Sequence, residues 1–128
     1  MRFRTLLILA LVALVAPACD GPTAGELSID LVTPNSNDGA ILFKLRTPSP
    51  REFGEVTATC SECQAFPYRV SDSELYYVVT GPLTSGPLIR IVVSDASMRS
   101  VYHVEILEIS GLDHQLRSIV GYELHLSH

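Results

Sequence analysis

From Leu27 onward the chain repeats short runs of alternating apolar and polar residues, separated by turn-forming residues. Successive side chains of a strand point to opposite faces, so a period of two marks a strand with one buried face. In LSIDLVT (27–33), Leu27, Ile29 and Leu31 share one face, and Ser28 and Asp30 share the other. PNSNDG (34–39) carries turn chemistry, and AILFKLRT (40–47) then sets Ile41, Phe43 and Leu45 against Lys44 and Arg46. Strand, turn and strand in succession predict a hairpin. The two prolines of TPSPREFG (47–54) exclude it from a central strand.

Further strands are expected at EVTATC (55–60), ELYYVVTG (74–81), LIRIVVS (88–94) and VYHVEILEIS (101–110). The last of these should carry a bulge near Ile106 and Leu107, where the alternation slips. FPYRV (66–70) reads as a short edge strand, LRSIV (116–120) as a helical turn, and GYELHLS (121–127) as the final strand. Seven or eight short strands with no long amphipathic helix predict an all-β fold over residues 27–128. The expected form is a single antiparallel β-sandwich, with a small β-barrel as the alternative.

Ahead of the strands stands MRFRTLLILALVALVAPA, two arginines followed by an apolar run from Leu6 to about Ala16. The run falls short of the roughly 20 apolar residues that cross a bilayer. Basic front, apolar run and small-residue exit are the ordered parts of a signal peptide, assigned here to residues 1–18. Ala16-Pro17-Ala18-Cys19 resembles the lipobox of bacterial lipoproteins. That resemblance implies diacylglycerol on the Cys19 thiol, cleavage before it, and a second acylation, of the palmitate type, on the new amine. Membrane anchorage through this lipid follows, because two or three acyl chains hold where one holds only marginally. Residues 19–26 then form the lipidated cysteine and a flexible tether. The resemblance implies a cell-envelope lipoprotein facing the periplasm or exterior. Asp20 resembles the inner-membrane retention signal of some lipoproteins. Ordinary cleavage after Ala18, giving a secreted soluble protein, is the alternative.

All fourteen acidic residues follow Cys19, against Lys44, Arg46, Arg51, Arg69, Arg90, Arg99 and Arg117. A chain so acidic, with no basic cluster, lacks the phosphate-neutralising charge that nucleic acid demands.

Cys60-Ser61-Glu62-Cys63 admits a disulfide, a redox dithiol, half of a zinc site or a haem attachment. Gln64 stands where haem attachment needs histidine, and a four-cysteine zinc site lacks its second pair. A redox pair draws its reactive thiol from a helix N-terminus, and QAFPYRV offers none. In an oxidising compartment a structural disulfide between Cys60 and Cys63 is the favoured reading. An envelope redox or metal-handling protein using this pair is the alternative function.

His103 and His125 lie on polar faces of predicted strands, and His128 ends the chain. If those strands pair, the three imidazoles come together as transition-metal ligands, although no carboxylate partner is fixed by spacing. Exposed strand histidines are the plainer reading, and no metal or other cofactor is expected beyond the lipid. The oxygen-rich NSNDG (35–39) fails the EF-hand pattern, placing Pro34 and Leu45 at the first and last ligand positions. A hairpin turn with positive φ at Asp38 or Gly39 accounts for it instead. Asp113 and His114 adjoin in a predicted turn, but no nucleophile elbow or HExxH accompanies them. The chain reads as a non-enzyme.

Without tryptophan, a stacking-based sugar site is disfavoured, yet Phe66, Tyr68, Tyr76 and Tyr77 can form a small patch. Tyr76 and Tyr77 are consecutive in one strand, so one of them must face outward. Tyr68, Tyr76 and Tyr77 are therefore the candidate binding-surface residues. "DGAILFKL" (38–45), "GPLIRIVV" (86–93) and "YHVEILEI" (102–109) resemble the strand order of cohesin-type and related carbohydrate-module sandwiches. The resemblance implies the fold and no site. The expected function is a binding or structural module at the envelope, its partner a protein or a glycan.

Overall fold

The computed structural model describes residues 24–47, 53–97 and 101–127. The expected leader, Cys19 with the first part of the tether, and His128 lie outside the described residues. The strands are β1 (Gly25–Val32), β2 (Asp38–Arg46), β3 (Phe53–Ala58), β4 (Gln64–Ser71) and β5 (Glu74–Leu83). They continue with β6 (Gly86–Val93), β7 (His103–Gly111), β8 (Leu116–Arg117) and β9 (Glu123–Ser127). No α-helix occurs among the described residues.

Two antiparallel sheets pack face to face. Sheet A runs β3-β6-β1-β9 and sheet B runs β4-β5-β2-β7-β8. Each sheet keeps two edges, so the fold is a β-sandwich and not a closed barrel. The period-two pattern explains the core directly. Leu27, Ile29 and Leu31 of β1 and Ile89, Ile91 and Val93 of β6 face Ile41, Phe43 and Leu45 of β2 and Leu75, Tyr77 and Val79 of β5. These twelve side chains are almost wholly buried, each stabilising the fold by about 1.5–3 kcal/mol. Phe43 stacks on Tyr77 with ring centroids 5.5 Å apart.

Two bulges adjust the faces. Leu42 opposes Glu108 while Phe43 opposes Ile106, which leaves Leu107 as the extra residue, at the slip in alternation. Between β1 and β6, Ile29 opposes Ile89 and Asp30 opposes Pro87, so Leu88 is the extra residue. Leu88 and Ile89 are then both buried although adjacent. Pro67 sits in β4 at the edge of sheet B, where a missing ladder donor is tolerated.

Four expectations are corrected. The segment 33–37 is no hairpin turn: β1 belongs to sheet A and β2 to sheet B, so it carries the chain across the core. Neither Asp38 nor Gly39 has positive φ, which among the described residues occurs at His114, Gly81, Gly86 and Gly121. Gly39 is instead held by close approach, since a Cβ there would meet the Gly111 carbonyl oxygen at 2.7 Å. The expected helical turn at 116–120 begins as β8, paired with the end of β7. β1 also starts at Gly25, so the last residues of the expected tether belong to the sheet.

Of the eight connections, only β4–β5 and β7–β8 join neighbours in one sheet. The register also defines two ends. Gly25, Arg46, Glu74 and Val93 lie at the near end, where the described chain begins. The 33–37 crossing, Leu83, Gly86 and Gly111 lie at the far end.

Candidate functional site

The outer face of sheet B collects the exposed aromatics. On β4, Phe66 opposes Val78 of β5, and Val78 opposes Leu42 of β2, giving an apolar row across three strands. In the next row Tyr68 opposes Tyr76, which opposes Lys44, and Lys44 Nζ pairs with Glu105 Oε2 at 3.5 Å. Adjacent strands lie about 4.8 Å apart, so the two rows cover a compact patch with an ion pair at its inner border. Phe66 is 50 % and Tyr68 69 % exposed, which is unusual for ring side chains on a strand. The arrangement suits contact with an apolar or aromatic partner surface.

Of the three candidate tyrosines, the structure brings Tyr68 and Tyr76 side by side and removes Tyr77. Tyr77 alternates with Tyr76, points into the core and is 1 % exposed. Its hydroxyl finds no hydrogen-bond partner among the described residues. Burial pushes its phenol well above the usual tyrosine range, with the charge of Arg69 opposing this to a lesser extent. Phe66 joins Tyr68 and Tyr76 on this face through its cross-strand pairing with Val78.

Cys60 and Cys63 sit at disulfide distance, with Cα atoms 5.2 Å apart. Their turn takes the chain from β3 at the edge of sheet A to β4 at the edge of sheet B. The Cys63 amide donates to the Cys60 carbonyl at 3.1 Å, and the turn packs on Gly81, where a Cβ would lie 3.0 Å from Cys63 Sγ. No helix follows the pair; the chain passes straight into β4. The helix N-terminus that normally stabilises a reactive thiolate does not exist at this position. A groove of about 540 Å³ opens beside the turn between β3 and β4.

The histidines are not gathered. His103 opposes Arg46 on the outer face of sheet B, and His125 opposes Asp30 on the outer face of sheet A. Their strands lie in different sheets, so the pairing that would join the imidazoles does not occur. His125 Nε2 lies 3.0 Å from Glu123 Oε2. Among the described residues no group of three or more His, Cys, Asp or Glu is placed to share a metal. Asp113 accepts the Gln115 amide at 3.1 Å, and His114 supplies the left-handed residue of the β7–β8 turn. Both have turn roles.

Sequence reasoning missed a polar cluster around Asp38. This carboxylate is wholly buried and accepts from Arg117 Nη1 at 3.1 Å and from the Tyr122 hydroxyl at 2.8 Å. Thr33 Oγ1 donates to its other oxygen. Arg117 Nη1 also donates to Asn37 Oδ1 at 2.8 Å, and Asn35 Nδ2 donates to the Tyr122 hydroxyl at 2.7 Å. A guanidinium and two hydroxyls already satisfy the carboxylate that suggested calcium, which makes the cluster a structural lock at the far end. Compared with known proteins, the chain matches no family model, no curated protein and no solved structure.

Proposed function

We propose that the chain is a cell-envelope lipoprotein, anchored through lipid on Cys19, whose sandwich serves as a non-enzymatic binding module. The outer face of sheet B is its contact surface. The single observation that carries the binding role is the exposed ring pair Phe66 and Tyr68, set in register beside Val78 and Tyr76 on one sheet face. The lipobox-like Ala16-Pro17-Ala18-Cys19 supports the anchor. The partner is an envelope protein or glycan that offers apolar or aromatic surface.

Two experiments test the reading separately. Cys19→Ser, followed by cell fractionation, should release the protein from membranes; unchanged membrane association would remove the anchor. Crosslinking in cells with a photoreactive residue at position 68 should capture a discrete partner. Capture no greater than from a photoreactive residue at Arg90, exposed on sheet A, would remove the contact surface.

A further inference from the structure

The sandwich is one strand short on the side away from the Cys60–Cys63 turn. β2 covers one flank of β7 along its whole length, but β8 bonds only Ile109 and Ser110 on the other flank. Among the described residues, positions 103–108 therefore present an unpaired main-chain edge. β9, the edge of sheet A, runs opposite, and between them opens a groove of about 430 Å³. Val104, Ile106 and Leu124 point inward along this groove yet remain only half-buried. The inward residues of β1, β2, β5 and β6 are at most 5 % exposed. The interior is thus fully covered along the central strands and only partly covered here, as it is at Phe53, Val56 and Ala65 of the opposite edge.

We propose that this gap binds an extended peptide segment by strand addition, with apolar residues at alternate positions and basic residues between them. The segment's main chain bonds to β7 over positions 103–108, and its apolar side chains complete the cover over Val104, Ile106 and Leu124. Its intervening side chains lie on the outer face of sheet B beside Glu105, which is 61 % exposed although it pairs with Lys44. Glu108 lies exposed on the same strand. This acidic rim selects a basic partner and opposes a second copy, whose matching edge would set glutamate against glutamate. The Leu107 bulge further hinders regular pairing between two copies. The opposite side differs in kind: there the chain itself crosses between the sheets at 59–63, and Pro67 interrupts the donors of β4. The site adjoins the aromatic face at the Lys44–Glu105 ion pair, lies on a different strand edge, and does not depend on Cys19.

The test uses the purified full chain and a fluorescein-labelled heptapeptide alternating Lys and Val. Fluorescence anisotropy should show saturable binding that weakens with added salt. Amide hydrogen exchange should slow at positions 103–108. Replacing the peptide's lysines with glutamate, or its central valine with proline, should abolish binding. The exposed-site double variant Glu105→Gln/Glu108→Gln, checked for an unchanged circular dichroism spectrum, should bind at least fivefold more weakly. No saturable binding, equal binding of the glutamate peptide, or protection confined to β4 and β5 would overturn the proposal. So would self-association in sedimentation that protects 103–108 without peptide, because the occupant would then be a second copy.

Discussion

The Tyr122 hydroxyl donates to Oδ1 of Asp38 at 2.8 Å, joining the entrance of β9 in sheet A to the first residue of β2 in sheet B. Arg117 reaches the same oxygen, and its own side chain is only 19 % exposed. Replacing Asp38 with alanine strands a largely buried guanidinium and two hydroxyls. The expected loss is about 3–5 kcal/mol, the range for breaking a buried ion pair from one side. Tyr122→Phe should cost about 1 kcal/mol, one hydrogen bond's net value. Urea unfolding of the two single variants and the double variant should give a double loss smaller than the sum.

Tyr77 makes the opposite prediction. Its buried hydroxyl lacks a partner, so Tyr77→Phe should leave stability at neutral pH unchanged or raise it by up to about 1–2 kcal/mol. Burial raises the folded-state pKa above the unfolded value near 10, so the wild-type loses no stability through this group below about pH 9. Stability then falls as the pH climbs past 10, because only the unfolded chain ionises there. Thermal melts between pH 7 and 11 should show a shallower alkaline decline in Tyr77→Phe.

The Cys60–Cys63 link closes a very short loop, so its entropic contribution is only about 2 kcal/mol. The Cys60→Ser/Cys63→Ser double variant should keep its β circular dichroism and lose no more than that in urea unfolding. Thiol titration of the denatured wild-type, before and after reduction, should reveal this pair only after reduction.

Phe66 and Tyr68 are half exposed or more, and neither belongs to the core. Phe66→Ser and Tyr68→Ser should each change stability by less than about 0.5 kcal/mol. The double variant, probed through a photoreactive residue at exposed position 70 in place of 68, should lower partner capture in cells at least tenfold. A comparable loss of capture from Val92→Ser, an exposed residue of sheet A, would detach the effect from this face.

Alternation located the strands because burial of one face leaves its mark on every second residue, as at Leu27, Ile29 and Leu31. The partners of each strand were not legible. Leu31 and Ile41 read identically whether their strands lie side by side or face each other across the core, and turn residues record only that the chain reverses. The turn reading of 34–39 failed for this reason. LRSIV shows no strand signal because a strand of two residues is too short to establish a period. On the site, Tyr68 and Tyr76 were legible as strand aromatics, but the choice between Tyr76 and Tyr77 needed the face of β5. Asp38 resembled a turn residue because Arg117 and Tyr122, which bury it, arrive some eighty residues later.

β1 lies between β6 and β9, with Leu31 opposite Leu124. The first described strand is therefore flanked by the last described one, and five of the seven strand pairings span a long stretch of sequence. Such a chain has high contact order and folds slowly, since distant segments must meet before any closure entropy is repaid. Sheet A has no complete nucleus until residues 123–127 have left the ribosome. Delayed folding of this kind leaves the inward face of β1 without its full cover until β9 arrives, a window in which a chaperone can hold the chain.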